Sequence, residues 1–244
     1  MLQNVRLGDQ VIVYEETGVR GGPNFVLVHG IGMGHSVFHE LTQELGTVGR
    51  VFALDLPGFG ESPESSGSRT MADSGDLIVA FGERLGIQNP VLVGHSMGAQ
   101  VVAEAAARHP DVSDRVVLIA PTVNAAERTA RMQAWRMLQD LIDENPRVIW
   151  IGAVHYIKTG PRWFVRKLRV MLDHRLEQSL PAVRAETLVL RGVDDRVCPH
   201  DWADDVTRLL PRATLREIPD RGHEAMITNP APAARMIIDH ALGT

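Results

Sequence analysis

A chain with a single cysteine cannot close a disulfide on itself, and Cys198 is the only cysteine among these 244 residues. A small cysteine-rich scaffold is therefore excluded, and a chain of this length can bury a sizeable core without staples. Long apolar runs are missing as well. None approaches the roughly 18–20 residues needed to cross a bilayer, so no membrane span is expected. The first residues, Met1 to Asp9, lack a basic stretch followed by an apolar one, so no signal peptide is expected and the simplest location is cytoplasmic. Strong charge of one sign is also absent. The net charge of −5 is a mild solubility charge and gives no reason to expect nucleic acid or an anionic membrane as a partner. Lysine occurs only at 158 and 167, and arginine supplies the remaining positive charge. No His/Cys/Asp cluster has metal-ligand spacing, so no metal is expected. Gly30-Ile31-Gly32-Met33-Gly34 is glycine-rich, but it has neither Gly-x-Gly-x-x-Gly spacing nor a Gly-Lys-Ser/Thr. A dinucleotide or ATP site is rejected, and no cofactor is expected.

What is present is a rhythm. Short apolar runs at Val11–Tyr14, Phe25–Val28, Val51–Leu54, Val91–Val93, Val116–Ile119 and Leu188–Leu190 alternate with helical stretches. Most do not alternate apolar with polar, which suits strands buried on both faces. Helices are expected at Met97–Arg108, stopped by His109-Pro110, at Asp201–Leu210 before Pro211, and at Ala231–Ala241. Strand and helix in repeated succession predict an α/β fold with a doubly wound, mostly parallel sheet. Ligands in such sheets sit beyond the carboxyl ends of the strands. From Thr122 to Pro181 the rhythm stops, and amphipathic helical patterns are divided by Pro146 and Pro161. That stretch is too long for one crossover helix. It predicts a helical lid over 122–181, inserted into a core made of 1–121 and 182–244.

The strongest motif is Val91-Leu92-Val93-Gly94-His95-Ser96-Met97-Gly98-Ala99, in which a buried strand runs through Gly-x-Ser-x-Gly into a helix. Nucleophilic attack needs the serine on a tight turn that projects its oxygen from the sheet. Glycines two before and two after let the strand and helix backbones pass closely. The helix N-terminus adds a favourable field for a developing anion. Ser96 needs a base. Of ten histidines, His29 and His95 lie within other motifs, and His109, His174, His200 and His240 fall in or beside helical stretches. His223 follows the strand-like Thr214–Ile218 run and a Pro-Asp-Arg-Gly turn, which places it on a loop at the active end of the sheet. The base in turn needs an orienting carboxylate, for which Asp194 and Asp195 compete.

These marks resemble the alpha/beta-hydrolase family from about Val11 to Ala241. His29-Gly30-Ile31-Gly32 looks like the family's oxyanion loop, and Asp55-Leu56-Pro57-Gly58-Phe59-Gly60-Glu61-Ser62 like its Asp-x-Pro-Gly-x-Gly-x-Ser turn. Gly192-Val193-Asp194-Asp195-Arg196-Val197-Cys198-Pro199 looks like the loop that supplies the acid, and Gly222-His223 like the loop that supplies the base. The family spacing, with Asp three residues after Gly and Pro four after that, selects Asp195. Some members carry the acid after the preceding strand, where this chain reads Pro121-Thr122-Val123-Asn124, without an acid. The resemblance implies that backbone N–H groups of Ile31 and Met97 form the oxyanion hole, with Gly32 in reserve. Asp55, at a strand end before a turn, reads as an ordering residue, and a serine in the elbow argues against relatives that form an alkyl-enzyme on aspartate.

The implied activity is that of a serine esterase. The substrate expected is a small to medium, largely apolar carboxylic ester, bound as a small-molecule acyl substrate. Trp135, Trp150 and Trp163, three of the four tryptophans, lie in the inserted stretch. Trp135, His155 and Tyr156 are its candidate substrate contacts. Other readings use the same residues. One is a carbon–carbon bond hydrolase of ring-cleavage diketones, and another is a lactonase, thioesterase or perhydrolase. A reading of a different class is a non-catalytic receptor that keeps the hydrolase pocket. Oligomeric state is not legible in the sequence.

Overall fold

The computed structural model describes residues 2–64, 70–141, 160–227 and 229–244. Among the described residues eight strands form one sheet: β1 (Leu2–Leu7), β2 (Gln10–Gly18), β3 (Asn24–Val28), β4 (Arg50–Asp55), β5 (Val91–His95), β6 (Arg115–Ile119), β7 (Glu186–Gly192) and β8 (Ala213–Ile218). Their order across the sheet is β1-β2-β4-β3-β5-β6-β7-β8. The β1–β2 and β2–β4 pairs are antiparallel and all the others are parallel. The expected doubly wound, mostly parallel sheet is what forms. In β5 every residue is buried, and in β3, β6 and β7 only the first is partly exposed, because helices cover both faces.

The helices are α1 (His39–Leu45), α2 (Met71–Leu85), α3 (Met97–Arg108), α4 (Ala130–Leu141), α5 (Pro161–Asp173), α6 (Leu176–Ser179), α7 (His200–Leu209) and α8 (Ala231–Leu242). The chain moves outward from β3 through α1 to β4, then returns through α2 to β5 and proceeds the other way. Right-handed crossovers therefore put α1 on one face and α2 and α3 on the other. The contacts agree, since α1 packs on α8 and α2 on α3. The carboxyl ends of the adjacent strands β3 and β5 mark the reversal, which is where this class of sheet opens a crevice.

Helix boundaries follow the sequence signals within a residue. α3 spans Met97–Arg108 as expected, α7 begins at His200 rather than Asp201, and α8 runs one residue beyond Ala241. The unheralded strand is β1, and the sequence signals do not single out α1 and α2 either. β1 is an edge strand with one buried residue, so it carries almost no apolar pattern to read. Between β6 and β7 the described residues form α4, α5 and α6 and no strand.

Two glycines of the Gly-x-Ser-x-Gly motif owe their identity to backbone contacts. A Cβ on Gly94 would lie 2.3 Å from the carbonyl oxygen of Gly98, and one on Gly98 would lie 2.1 Å from that of Val28. Gly82 in α2 is different, because a Cβ there meets nothing closer than 3.8 Å. Gly98→Ala is expected to destabilise by about 3 kcal/mol and lower Tm by roughly 6–12 °C. Gly82→Ala should instead raise stability by about 0.5–1 kcal/mol through helix propensity. Thermal denaturation of both variants checks the contrast, and equal effects would contradict it.

Candidate active site

Parallel pairing sets five loops side by side at the carboxyl edge of the sheet. Val28 pairs with Gly94, His95 with Ile119, Ile119 with Leu190, and Gly192 with Ile218. The residues that follow these strands therefore meet, although they are far apart in sequence. Ser96 sits at φ 54°, ψ −116° between β5 and α3, a backbone region that a non-glycine residue rarely adopts. Its N–H donates to the Ile119 carbonyl at 2.9 Å, which ties the turn to β6.

The structure brings Ser96, His223 and Asp195 into one line. Ser96 Oγ–H donates to His223 Nε2 at 3.1 Å, and His223 Nδ1–H donates to Asp195 Oδ2 at 3.0 Å. All three residues are buried. The other carboxylate oxygen, Asp195 Oδ1, accepts the backbone N–H groups of Val197 at 2.8 Å and Cys198 at 2.7 Å. Asp194, the competing acid, is exposed, and its N–H donates to the Arg221 carbonyl. Cys198 is fully buried, and burial pushes its thiol well above the ordinary range, which leaves it unreactive beside Ser96.

Met97 begins α3, so its N–H belongs to the helix's unpaired first turn and stands next to Ser96. The other expected donor, Ile31, lies on the loop after β3. That loop abuts the serine, since a Cβ on Gly30 would be 3.1 Å from Ser96 Cβ. His29 shapes the loop: its Nδ1–H donates to the Gly30 carbonyl at 2.7 Å and its Nε2 accepts the Leu56 N–H at 3.0 Å. Asp55 fixes the neighbouring turn. Its carboxylate accepts from the His35 N–H, from His35 Nδ1–H at 2.9 Å and from the Glu61 N–H at 2.9 Å. Asp55 orders these two loops and does not meet Ser96 or His223.

Sequence reasoning missed two neighbours of the serine and base. Thr122 Oγ1 lies 3.3 Å from Ser96 Oγ. The Ser96 proton points to His223, so the Thr122 hydroxyl is the donor. His95 donates from Nε2 to the His223 backbone carbonyl at 3.1 Å. Burial, and then the nearby His223, push His95 well below its ordinary pKa, so it is a neutral donor that holds the base loop. Thr122 carried no signal in the sequence beyond its place after β6. His95, His223 and Glu224 also present ligand atoms within 4.8 Å of one another, the one such group among the described residues. Both ring nitrogens of His223 face Asp195 and Ser96, so a metal there would have to take the imidazole from them.

Trp135 is 56% exposed on α4. His155 and Tyr156 lie outside the described residues. Among the described residues, two aromatics of α5 reach the oxyanion loop and its neighbouring turn. A Cβ on Gly32 would lie 3.1 Å from the Phe164 ring, and Trp163 is buried directly against Gly58. α5 is further held to the core by Gln100 Nε2–H, which donates to the Met171 carbonyl at 3.2 Å.

Comparison with known proteins identifies the family and the fold. A family model described as "Alpha/beta hydrolase family" matches residues 25–236. The chain is 31% identical over 250 residues to a pimeloyl-[acyl-carrier protein] methyl ester esterase of Vibrio cholerae serotype O1, covering 90% of this chain and 94% of that protein. It is 24% identical over 250 residues to the AB hydrolase superfamily protein YisY of Bacillus subtilis, covering 91% and 92%. Among solved structures, the enol-lactonase from Burkholderia xenovorans LB400 superposes with a TM-score of 0.85 at 20% identity, covering 99% of this chain and all of the other.

The His35–Asp55 pair predicts a pH window for stability. The hydrogen bond to Asp55 raises the His35 pKa above 6.5 despite burial. Burial pushes the Asp55 carboxyl up, but the hydrogen bonds from His35 and from the Glu61 N–H outweigh it and hold it below 3.8. The raised histidine contributes stability that is complete below 6.5 and lost as pH rises through its folded value. The lowered carboxylate contributes stability that is complete above 3.8 and lost as pH falls through its folded value. His35→Gln should therefore cost about 1.5–3 kcal/mol between those limits and less at alkaline pH. Denaturant titrations of wild type and variant at pH 5.5 and 9.5 measure this, and a gap that fails to shrink would contradict it.

Proposed function

The chain belongs to the alpha/beta hydrolase family, and from that premise we propose that it is a serine hydrolase cleaving a small to medium, largely apolar carboxylic ester through an acyl-enzyme on Ser96. The observation that carries the proposal is the buried line Ser96–His223–Asp195, with hydrogen bonds of 3.1 and 3.0 Å. Ser96 Oγ attacks the acyl carbonyl carbon as its proton passes to His223 Nε2. Asp195 holds the imidazole by Nδ1 and stabilises the imidazolium. The N–H groups of Met97 and Ile31 receive the oxyanion, and the α3 N-terminus adds its field. His223 gives its proton to the leaving alcohol. A water that loses a proton to His223 then attacks the acyl-enzyme, releases the acid and restores Ser96.

The ester is favoured over other acyl bonds because the Vibrio relative, 31% identical along 90% of this chain, bears the name of a methyl ester esterase. We read 122–181 as a lid over a core of 1–121 and 182–244. What supports this is α5, which carries Phe164 to Gly32 and Trp163 to Gly58 at the edge of the oxyanion loop and its neighbouring turn. An apolar acyl group suits walls of that kind.

A fluorophosphonate probe should label the wild type, and Ser96→Ala should abolish labelling. On activated nitrophenyl esters Ser96→Ala should lose roughly 10⁴–10⁶-fold in kcat, and Asp195→Asn about 10⁴-fold. A panel of nitrophenyl esters, lactones and dienoic diketones ranks ester against lactone and carbon–carbon cleavage. A wild type that is neither labelled nor active on any activated ester would refute the hydrolase chemistry and favour a receptor.

A further inference from the structure

Several buried ionisable side chains have no part in the reaction scheme, and Arg191 is among them. Arg191 stands near the end of β7, four residues before Asp195, and is 4% exposed. Its side chain turns back along the loop instead of leaving the protein. Nε–H donates to the Cys198 carbonyl at 2.8 Å. Nη2 donates to the carbonyls of Val193 and Asp195, each at 3.1 Å. Nη1 pairs with the carboxylate of Glu217, the residue opposite Arg191 in the β7–β8 register. His200 Nδ1–H donates at 3.0 Å to the same oxygen of Glu217, Oε1.

Burying a guanidinium is costly unless its donors are satisfied. Here they are satisfied by three carbonyls of one six-residue loop, 193–198, and by one anchoring carboxylate. Cys198 is gripped at both ends, because its carbonyl goes to Arg191 and its N–H to Asp195 Oδ1. The bonds to Val193 and Asp195 bracket Asp194, whose N–H joins the loop to the Arg221 carbonyl, two residues from His223. We infer that Arg191 is a positioning residue for Asp195, shaping loop 193–198 so that Oδ2 faces His223 Nδ1. The inference rests on the serine-hydrolase reading. A lysine cannot replace the fork, since its single ammonium cannot reach acceptors spread over three directions at these lengths.

The experiment uses the full chain, with active sites counted by fluorophosphonate. Arg191→Met keeps the apolar stem and removes the fork. It should lower kcat about 10²-fold, the scale of a misplacement near 1 Å, while KM stays within about threefold. Arg191→Lys should recover only part of the loss. In an Asp195→Asn background Arg191→Met should cost less than about threefold, because the group it positions is already disabled. Should Arg191→Met not fold, Glu217→Gln loosens the same guanidinium from a half-buried site and should show the same kcat-only, Asp195-dependent loss. Full kcat in Arg191→Met, or in Glu217→Gln where that variant stands in for it, overturns the inference, and so does an equal loss with and without Asp195. Either result leaves wild-type labelling at Ser96 intact. An unlabelled wild type sinks the serine-hydrolase reading itself.

Discussion

The site depends on how closely three backbones can approach. Gly94 lets β5 pass the first turn of α3, and Gly98 lets α3 press against the end of β3. Without that approach Ser96 would not stand at a sharp corner with a helix N-terminus behind it and the Gly30 loop beside it. The contact also sits at the reversal of strand order, where the crossover helices part to opposite faces. The remaining members arrive by register. Thr122, Asp195 and His223 follow β6, β7 and β8, and parallel pairing brings those strand ends to one edge.

This division explains what could be read from the sequence. The central strands were legible because burial on both faces makes them continuous apolar runs. α3 was legible because its start and stop signals flank an alanine-rich stretch. Ser96 was legible because it lies at the end of such a run, and His223 because a strand-like stretch and a Pro-Asp-Arg-Gly turn precede it. β1 was not, since an edge strand with one buried residue has little pattern to show. Choosing Asp195 over Asp194 needed the resemblance, and the physical difference between them is visible only in space: one carboxylate is buried on two N–H groups and the other is exposed. Thr122, His95 and Arg191 act through contacts 26 residues away, across loops or back onto their own backbone, and no local pattern encodes those. Aromatic content pointed to the inserted stretch, yet it could not tell the exposed Trp135 from the buried Trp163.

The protonation states around the serine are set by partners more than by solvent. His29 and His95 each have a nitrogen whose proton goes to a backbone carbonyl, so both are held as neutral spacers of fixed tautomer. Two matched charge pairs lie outside this shell: His35 with Asp55 under the oxyanion loop, and Arg191 with Glu217 behind the acid loop. Each pair orders a loop that carries a proposed catalytic group, while its own charge stays out of reach of the acyl carbonyl.

The backbone at Ser96 has an evolutionary consequence. A side chain held at φ 54°, ψ −116° costs about 1–3 kcal/mol relative to relaxed geometry, and glycine would relieve much of that cost. Selection for heat resistance and selection for turnover therefore pull in opposite directions at this one residue. A lineage released from the need for catalysis could gain robustness by a single substitution here, and a sturdy, inert descendant would be the expected relic of lost function.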